Sequence, residues 1–260
     1  MAKISAVVIA LNEAENIADC LKSLEFCDER IVVDAGSRDA TVRIAEQNGA
    51  RVAHNPWQGF GAQKNFALSL AQNDWVLSVD ADERVSESLA SEIRRAVDTS
   101  HNDGYLIPRR SSFCGRSMTH SGWWPDYVLR LFRRSQARFS GDLVHERVLC
   151  NGKIGRLHEH LLHEPVGRLE DALRRMDQYS TASAETIANS ERRVSFTTGI
   201  TRGLWTFIRT YILQRGFLDG HEGFLLAVAN AEGTYYRYMK AWLARRRMEK
   251  PRARASGGAG

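Results

Sequence analysis

Trp75-Val76-Leu77-Ser78-Val79-Asp80-Ala81-Asp82-Glu83 runs from an apolar segment straight into paired carboxylates. A short run that is apolar at nearly every position suits a strand covered on both faces. In extended backbone, side chains two residues apart share a face, so Asp80 and Asp82 can converge on one divalent ion or its water shell. Oxygen ligands of this kind suit magnesium or manganese, and a nucleotide diphosphate can supply the remaining positions. An ordinary exposed acidic turn is the bland alternative, disfavoured by the strand that precedes it. Glu83 is either a helper at the same place or a first-turn charge of the next helix.

Working outward, the same strand-to-acid pattern recurs. Ile4–Leu11 is a near-continuous apolar run, followed by Asn12 and Glu15 at the spacing of a helix cap and its reciprocal partner. Ile17, Cys20, Leu21 and Leu24 continue at helical spacing. Ile31–Val33 is a second strand, ending at Asp34, and the polar turn Gly36-Ser37-Arg38-Asp39 leads to a helix through Val42 and Ala45 that Gly49 terminates. Arg51–Ala53 is a third strand; Ala67, Leu68 and Ala71 line a helix; Ser86 caps another whose inner stripe is Leu89, Ile93 and Val97. Alternation at this pace predicts an α/β fold with a mostly parallel central sheet and helices on both faces. Such sheets bind ligands beyond the carboxyl ends of their strands, where Asp34 and Asp80 fall.

Past residue 100 the rhythm changes. Tyr105–Pro108, Val128–Phe132 and Leu143–Val148 read as short strands, Leu169–Ala188 as a helix, and Phe224–Trp242 as another with a break near Gly233. The expected organisation is a catalytic domain over residues 1–165, a C-terminal helical region over 166–248, and a loose basic, glycine-rich tail over 249–260. The composition, 43% hydrophobic and 26% charged with a net charge of +5, fits a folded chain. The positive charge concentrates between Arg237 and Arg254, where eight basic residues face one glutamate. Cys20, Cys27, Cys114 and Cys150 form neither a zinc pattern nor a dense disulfide framework. No signal-type segment opens the chain, so a cytoplasmic location is the default expectation.

Several residues qualify for chemistry. Asp34 can accept hydrogen bonds from a base or sugar hydroxyl, whereas Asp39 suits a helix cap. Glu13 either reaches a ribose or favours a helix N-terminus. Lys64, in Gln63-Lys64-Asn65, is a surface lysine or one that faces a diphosphate. Transfer of a sugar with inversion requires a carboxylate to take the acceptor proton. Glu146 is the first candidate for this base, with Asp142 and Asp126 behind it. His145, His158, His160 and His163 cluster nearby, without a zinc-protease pattern. Trp123, Trp124 and Tyr127 suit a sugar platform or a sheet-edge plug, and Arg130-Leu131-Phe132-Arg133-Arg134 suits phosphorylated acceptor groups.

Taken together, these stretches resemble the inverting family 2 glycosyltransferases, most closely the lipopolysaccharide core glucosyltransferases that modify inner-core heptose. The resemblance is carried by Val7–Ile17, Val32–Thr41, Gln63–Asn65, Asp80–Glu83, Asp126–Arg134, Val144–Glu146 and Arg215–Gly220. It implies the GT-A nucleotide-diphospho-sugar transferase fold with a C-terminal helical region. It also implies nucleoside contacts from Glu13 and Asp34, Asp80 beside the ribose or metal, Asp82 as metal ligand, Glu146 as base, and His163 near the diphosphate and metal. The cofactor would be Mg2+ or Mn2+, the donor UDP-glucose, and the acceptor an inner-core heptose on a lipid A precursor at the cytoplasmic face of the inner membrane. Ala35, Arg38 and Ala40 depart from the usual Ser, Thr and Gly of their stretch. The Gln-x-x-Arg-Trp motif of processive synthases is absent from the sequence, which disfavours polymer synthesis.

A lipid-linked acceptor gives the C-terminal half a purpose: the apolar residues of Leu204–Phe217 and the basic cluster would seat the protein peripherally on an anionic membrane. Packing against the catalytic domain and plain solvation are the rival roles. Two other functions compete. A nucleotidylyltransferase would share an acidic nucleotide site but usually carries a glycine-rich loop where this chain has Leu11-Asn12-Glu13. A basic nucleic-acid-binding protein would account for the tail and leave the acids unexplained, so no nucleic-acid partner is expected.

Overall fold

The computed structural model describes residues 2–99, 101–141, 147–190 and 193–255, with the side chains of the last helix described through 247. The chain divides into two compact units, Met1–Ser111 with Pro125–Glu164, and Ser112–Trp124 with Pro165–Gly260. Among the described residues, no helix is long and apolar enough to cross a membrane.

The first unit is built on β1 (Ile4–Ala10), β2 (Glu29–Asp34), β3 (Arg51–His54) and β4 (Trp75–Ser78), with α1 (Ile17–Ser23), α2 (Thr41–Gln47), α3 (Phe60–Leu70), β5 (Glu83–Val85) and α4 (Glu87–Thr99). β3, β2, β1 and β4 lie side by side and parallel. Then come β6 (Gly104–Phe113), β7 (Arg116–Ser117), β8 (Asp126–Arg133), β9 (Ala137–Phe139), β10 (Val148–Cys150), β11 (Ile154–Arg156) and β12 (Leu161–Val166). The sheet order is β3-β2-β1-β4-β8-β6-β12-β5; β8 pairs antiparallel with both β4 and β6, and β11 returns to a parallel pairing with β6. The sheet is therefore mixed; β6 and β8, joined without a helical crossover, pair antiparallel as a short connection allows.

The apolar runs are continuous because both faces of the central strands are covered. Ile4, Ala6, Val8 and Ala10 of β1 join a core with Ile17 and Leu21 of α1 and Leu89 and Ile93 of α4. Val7 points the other way, into a second core with Ile31, Val33 and the α3 residues Ala67 and Leu68. Each fully buried aliphatic side chain contributes about 1.5–3 kcal/mol, so this two-sided packing sets the strand register firmly. Ala10 sits beside Asp34 in that register, and Val7 beside Ser78, which brings the carboxyl ends of β1, β2 and β4 to one rim.

Local details differ from the sequence expectation. Asn12 does not cap α1; its φ is 56°, its amide donates to Ser37 Oγ, and its side-chain oxygen accepts from the Arg38 amide. Helix α1 instead begins at Ile17. Ser86 does cap α4, accepting from the Leu89 amide. The expected strand over 143–148 lies mainly outside the described residues, and only its end, Val148, is seen as part of β10.

The second unit contains α5 (Leu169–Ala188), α6 (Phe196–Phe207), a π-helical continuation at Ile208–Leu213, a 3-10 turn at Gly216–Asp219, and α7 (Gly220–Ala255). α7 runs through Gly233 without a break. That glycine permits close approach, because a Cβ there would stand 2.9 Å from Cγ of Met176 on α5. Part of the basic cluster has internal work. Lys240 donates to Asp177 at 2.6 Å and to Ser180 and Thr181, and Arg245 donates to the carbonyls that end α5, those of Ile187 and Ala188. Asp219 is buried and accepts from the amides of Thr119 and His120 and from Ser121 Oγ, tying residues 119–121 into this unit.

Gly223 lies one turn past Asp219, and a Cβ there would stand 2.0 Å from the Gly216 carbonyl oxygen, a backbone atom that cannot swing aside. Gly223→Ala should therefore destabilise the protein by about 1–3 kcal/mol in urea titration, although alanine is the better helix former by about 1 kcal/mol.

Candidate active site

The rim at the carboxyl ends of β1 and β4 opens into a pocket of about 380 Å3, lined by Ile9, Ala10, Leu11, Glu13, Trp57, Phe60, Lys64, Asp80, Ala81, Asp82 and His163. Five residues singled out from the sequence thus share one cavity: Glu13, Lys64, Asp80, Asp82 and His163. Each arrives by a distinct local device.

Lys64 is carried by α3, whose two neighbouring residues fix the helix. Gln63 exchanges amide hydrogen bonds with Asn55, and Asn65 pairs with the amide and carbonyl of Phe139. Between them the buried Lys64 places Nζ 3.0 Å from Asp80 Oδ1. Arg130, on β8, approaches the other oxygen of Asp80 and also donates to Glu83 Oε1 at 2.7 Å. The second Glu83 oxygen accepts from the Asp80 amide at 2.9 Å. Arg109 completes the lattice, 3.5 Å from Glu83 and 2.6 Å from Asp126.

Burial opposes ionisation of Asp80, but the Arg130 guanidinium and the Lys64 ammonium outweigh it and hold the carboxyl well below its usual range. Glu83 is fully buried; burial pushes its pKa up, and Arg130 offsets this only in part. Glu83 is therefore a structural acid under the rim rather than a first-turn helix charge. The sequence expectation for the Arg130–Arg134 run is corrected at Arg130 alone. Arg130 faces inward, Arg133 pairs with Asp74 and lies over the Trp75 ring, and Arg134 donates to the Ala71 carbonyl. Arg130 is buried within β8 and its charge needs internal partners, whereas Arg133 is half-buried and Arg134, just past the strand, is exposed.

Asp82 and His163 form a second pair. β5 and β12 run antiparallel with His163 opposite Glu83, and the Glu164 amide donates to the Asp82 carbonyl at 3.0 Å. This pairing sets His163 Nε2 3.5 Å from Asp82 Oδ2. Ser111 Oγ lies 2.8 Å from His163 Nδ1, which fixes the ring with Nε2 toward the carboxylate. Carboxylate oxygen and imidazole nitrogen, with the second ring nitrogen anchored, form a donor pair suited to manganese or magnesium when diphosphate oxygens complete the shell. Among the described residues, no three His, Cys, Asp or Glu side chains are grouped to hold a metal alone.

The loops around Glu13 and Asp34 are knitted together. The amides of Asn12, Glu13 and Ala14 donate to Ser37, Thr41 and Asp39 respectively. Asp39 also accepts from the Thr41 amide at the start of α2. The departures at Ala35, Arg38 and Ala40 touch none of these contacts through a side chain, since Arg38 uses only its amide. Asp34 is outside the pocket lining, and its carboxylate accepts from the amides of Gly36 and Ser37. Glu13 accepts from the Asn16 side chain.

The other sequence candidates separate. Asp142, His145 and Glu146 lie outside the described residues. Asp126 is paired with Arg109, and His158 lies against Glu92. Trp123 meets Phe113 edge-on, and Tyr127 lies beneath the Arg156 guanidinium. Sequence reasoning missed Trp57 and Phe60, which contact each other at 4.8 Å on the pocket wall, as well as the orienting Ser111. Their only signal was an aromatic pair beside Gly59 and Gly61.

Removing Arg130 would strand the buried Glu83 charge. Arg130→Met should cost about 3–5 kcal/mol of stability, read as a lower denaturation midpoint, and pairing it with Glu83→Gln should restore part of the loss.

A model of glycosyl transferase family 2 matches residues 5–152. An uncharacterized glycosyltransferase of Rickettsia felis is 33% identical over 92% of this chain and 89% of its own length. LpsC of Rhizobium meliloti, a lipopolysaccharide core biosynthesis glycosyltransferase, is 30% identical over 88% of this chain and 87% of its own. The crystal structure of S. aureus TarS 1–349 in complex with UDP-GlcNAc aligns at 18% identity with a TM-score of 0.49, covering 99% of this chain and 93% of that one. The matched span holds the parallel strands, the acidic rim and the lattice beneath it, and the chain belongs to glycosyl transferase family 2, with the GT-A architecture expected of it.

Proposed function

We propose that this enzyme moves a hexose, glucose from UDP-glucose, onto a hydroxyl of a lipid-linked saccharide such as the inner-core heptose of lipopolysaccharide, with inversion at the anomeric carbon. The observation that carries the reading is the pairing of Asp82 with His163 in a pocket that also admits Lys64 and Glu13. The acceptor assignment leans on the likeness to LpsC, whose name places that protein in lipopolysaccharide core biosynthesis.

In this reading Asp82 and His163 hold Mg2+ or Mn2+, which when bound would neutralise charge on the departing diphosphate. Lys64 adds a fixed positive charge at the same wall. Asp80, already neutralised by Lys64 and Arg130, is assigned to the ribose hydroxyls, with a share in the metal site as the alternative. Glu13 and Asp34 are assigned to the nucleoside. Trp57 and Phe60 shield one side of the pocket from water. Glu146 takes the proton of the attacking hydroxyl, with Asp142 as the substitute; Asp126 ranks below both because Arg109 occupies its carboxylate. Residues 1–165 form the catalytic domain and 166–248 the region that serves the lipid-linked acceptor at the cytoplasmic face of the membrane, with the basic tail, 249–260, beyond it.

Three substitutions test the assignment. Asp82→Ala should lower kcat by about 100-fold or more with saturating donor and acceptor; full turnover would remove Asp82 from the mechanism. Ser111→Ala, which releases the imidazole without deleting it, should weaken Mn2+-dependent UDP binding about tenfold in calorimetry. Glu146→Gln should abolish transfer while leaving UDP binding intact, and near-normal turnover would disqualify it as base.

A further inference from the structure

Helix α6 and its π-helical continuation are built inside out. The face turned to α7 is lined by Gly199 and Gly203, both buried. At Gly203 a Cβ would meet the Ala231 carbonyl oxygen and Tyr235 Cβ at 3.2 Å, so the close approach uses glycine. The outward face carries the bulk instead: Leu204 is 60% exposed, Trp205 53% and Leu213 61%, with Ile200, Ile208 and Ile212 between them. A helix in water normally does the reverse, burying its leucines and leaving small or polar residues outside. The apolar surface continues onto the 3-10 turn through Phe217 and Leu218, each about half exposed.

Charge chooses the occupant. Residues 193–218 hold four arginines and no acidic side chain. Arg202, Arg209 and Arg215 are exposed among the apolar residues, where their long stems can lie along the surface and their heads reach outward. The next acids along the chain are withdrawn from this face: Asp219 is buried under the 119–121 hydrogen bonds, and Glu222 is near Arg116 at 3.7 Å. A protein partner would need acids placed to match each arginine, whereas an anionic bilayer supplies mobile negative headgroups around an apolar interior.

We infer that the outward face from Ile200 to Leu218 is the protein's membrane-docking surface, lying in the interface of an anionic bilayer with Leu204, Trp205, Ile208, Ile212 and Leu213 inserted and the arginines at headgroup level. The inference deepens the proposed function and rests on its lipid-linked acceptor. It assigns docking to this helix face rather than to the basic cluster of α7, whose Lys240 and Arg245 are engaged in holding α5.

The test is flotation of the full chain with vesicles of phosphatidylcholine alone or with added phosphatidylglycerol. The wild type should float with the anionic vesicles only. Leu204→Ser combined with Trp205→Ser should bind them about tenfold more weakly while its circular dichroism and UDP binding stay unchanged. Arg202→Gln with Arg209→Gln should reduce the preference for phosphatidylglycerol. Wild-type protein that stays at the bottom of the gradient, or a serine variant that floats equally well, overturns the inference. So does a concentration-dependent dimer in sedimentation that the serine variant loses, since a second copy would then cover the face. Transfer to a soluble acceptor fragment is measured in parallel. Retained transfer without flotation defeats docking alone, and flotation without any sugar transfer defeats the functional reading instead.

Discussion

A buried ion lattice beneath the rim carries the site. Glu83 is fully buried beside Arg130, which also grips Asp80, and Lys64 closes the group from α3. Isolated, any of these charges would be expelled from the interior at a cost of several kcal/mol. Together with Arg109 and Asp126 they balance as three cations and three carboxylates. Their mutual constraint has a structural consequence: strands β4, β5, β6 and β8 and helix α3 must all be in place before Asp80 acquires a fixed direction. Arg130 Nε, buried and without a hydrogen-bond partner among the described residues, shows that the arrangement favours placement over complete satisfaction.

The lattice also separates the tasks of the two rim aspartates. Asp80 is surrounded by cations and stays ionised, so its orientation is settled before any ligand arrives. Asp82 instead faces the His163 imidazole, which is anchored by Ser111. One member of the pair is thus gripped by the protein's own cations, while the other faces a histidine on the pocket wall. A triplet that looks symmetrical in sequence is divided by its neighbours.

Much of this was legible beforehand, for physical reasons. Strands β1, β2 and β4 announce themselves because two-sided burial makes them continuously apolar, and the rim acids are found because they follow at once. Leu169–Ala188 was recoverable in full from its helical pattern. What escaped was decided by distant partners. β5 is only three residues long and takes its strand identity from β12, so Glu83-Arg84-Val85 carried no periodic signal. Arg130 read only as part of a basic run suited to phosphorylated acceptor groups, because its countercharges are far away in sequence. Asn12 had the composition of a cap, yet its positive φ serves a loop-to-loop knit instead. Gly233 had the appearance of a helix stop, but it answers to Met176 of a neighbouring helix. In each case local propensity yielded to tertiary contact.

The β5–β12 pairing has one more implication. Side chains alternate along a strand, so the imidazole reaches Asp82 only in one of the two parities that the β12 backbone can adopt. A one-residue slip of β12 against β5 would present the neighbours of His163 to the cavity and turn the ring to the opposite face of the sheet. The loop between β11 and β12 can absorb a change of length, whereas the paired residues Leu161–His163 keep their facing against β5 only for shifts of two. Parity as well as residue identity governs what that segment presents to the cavity.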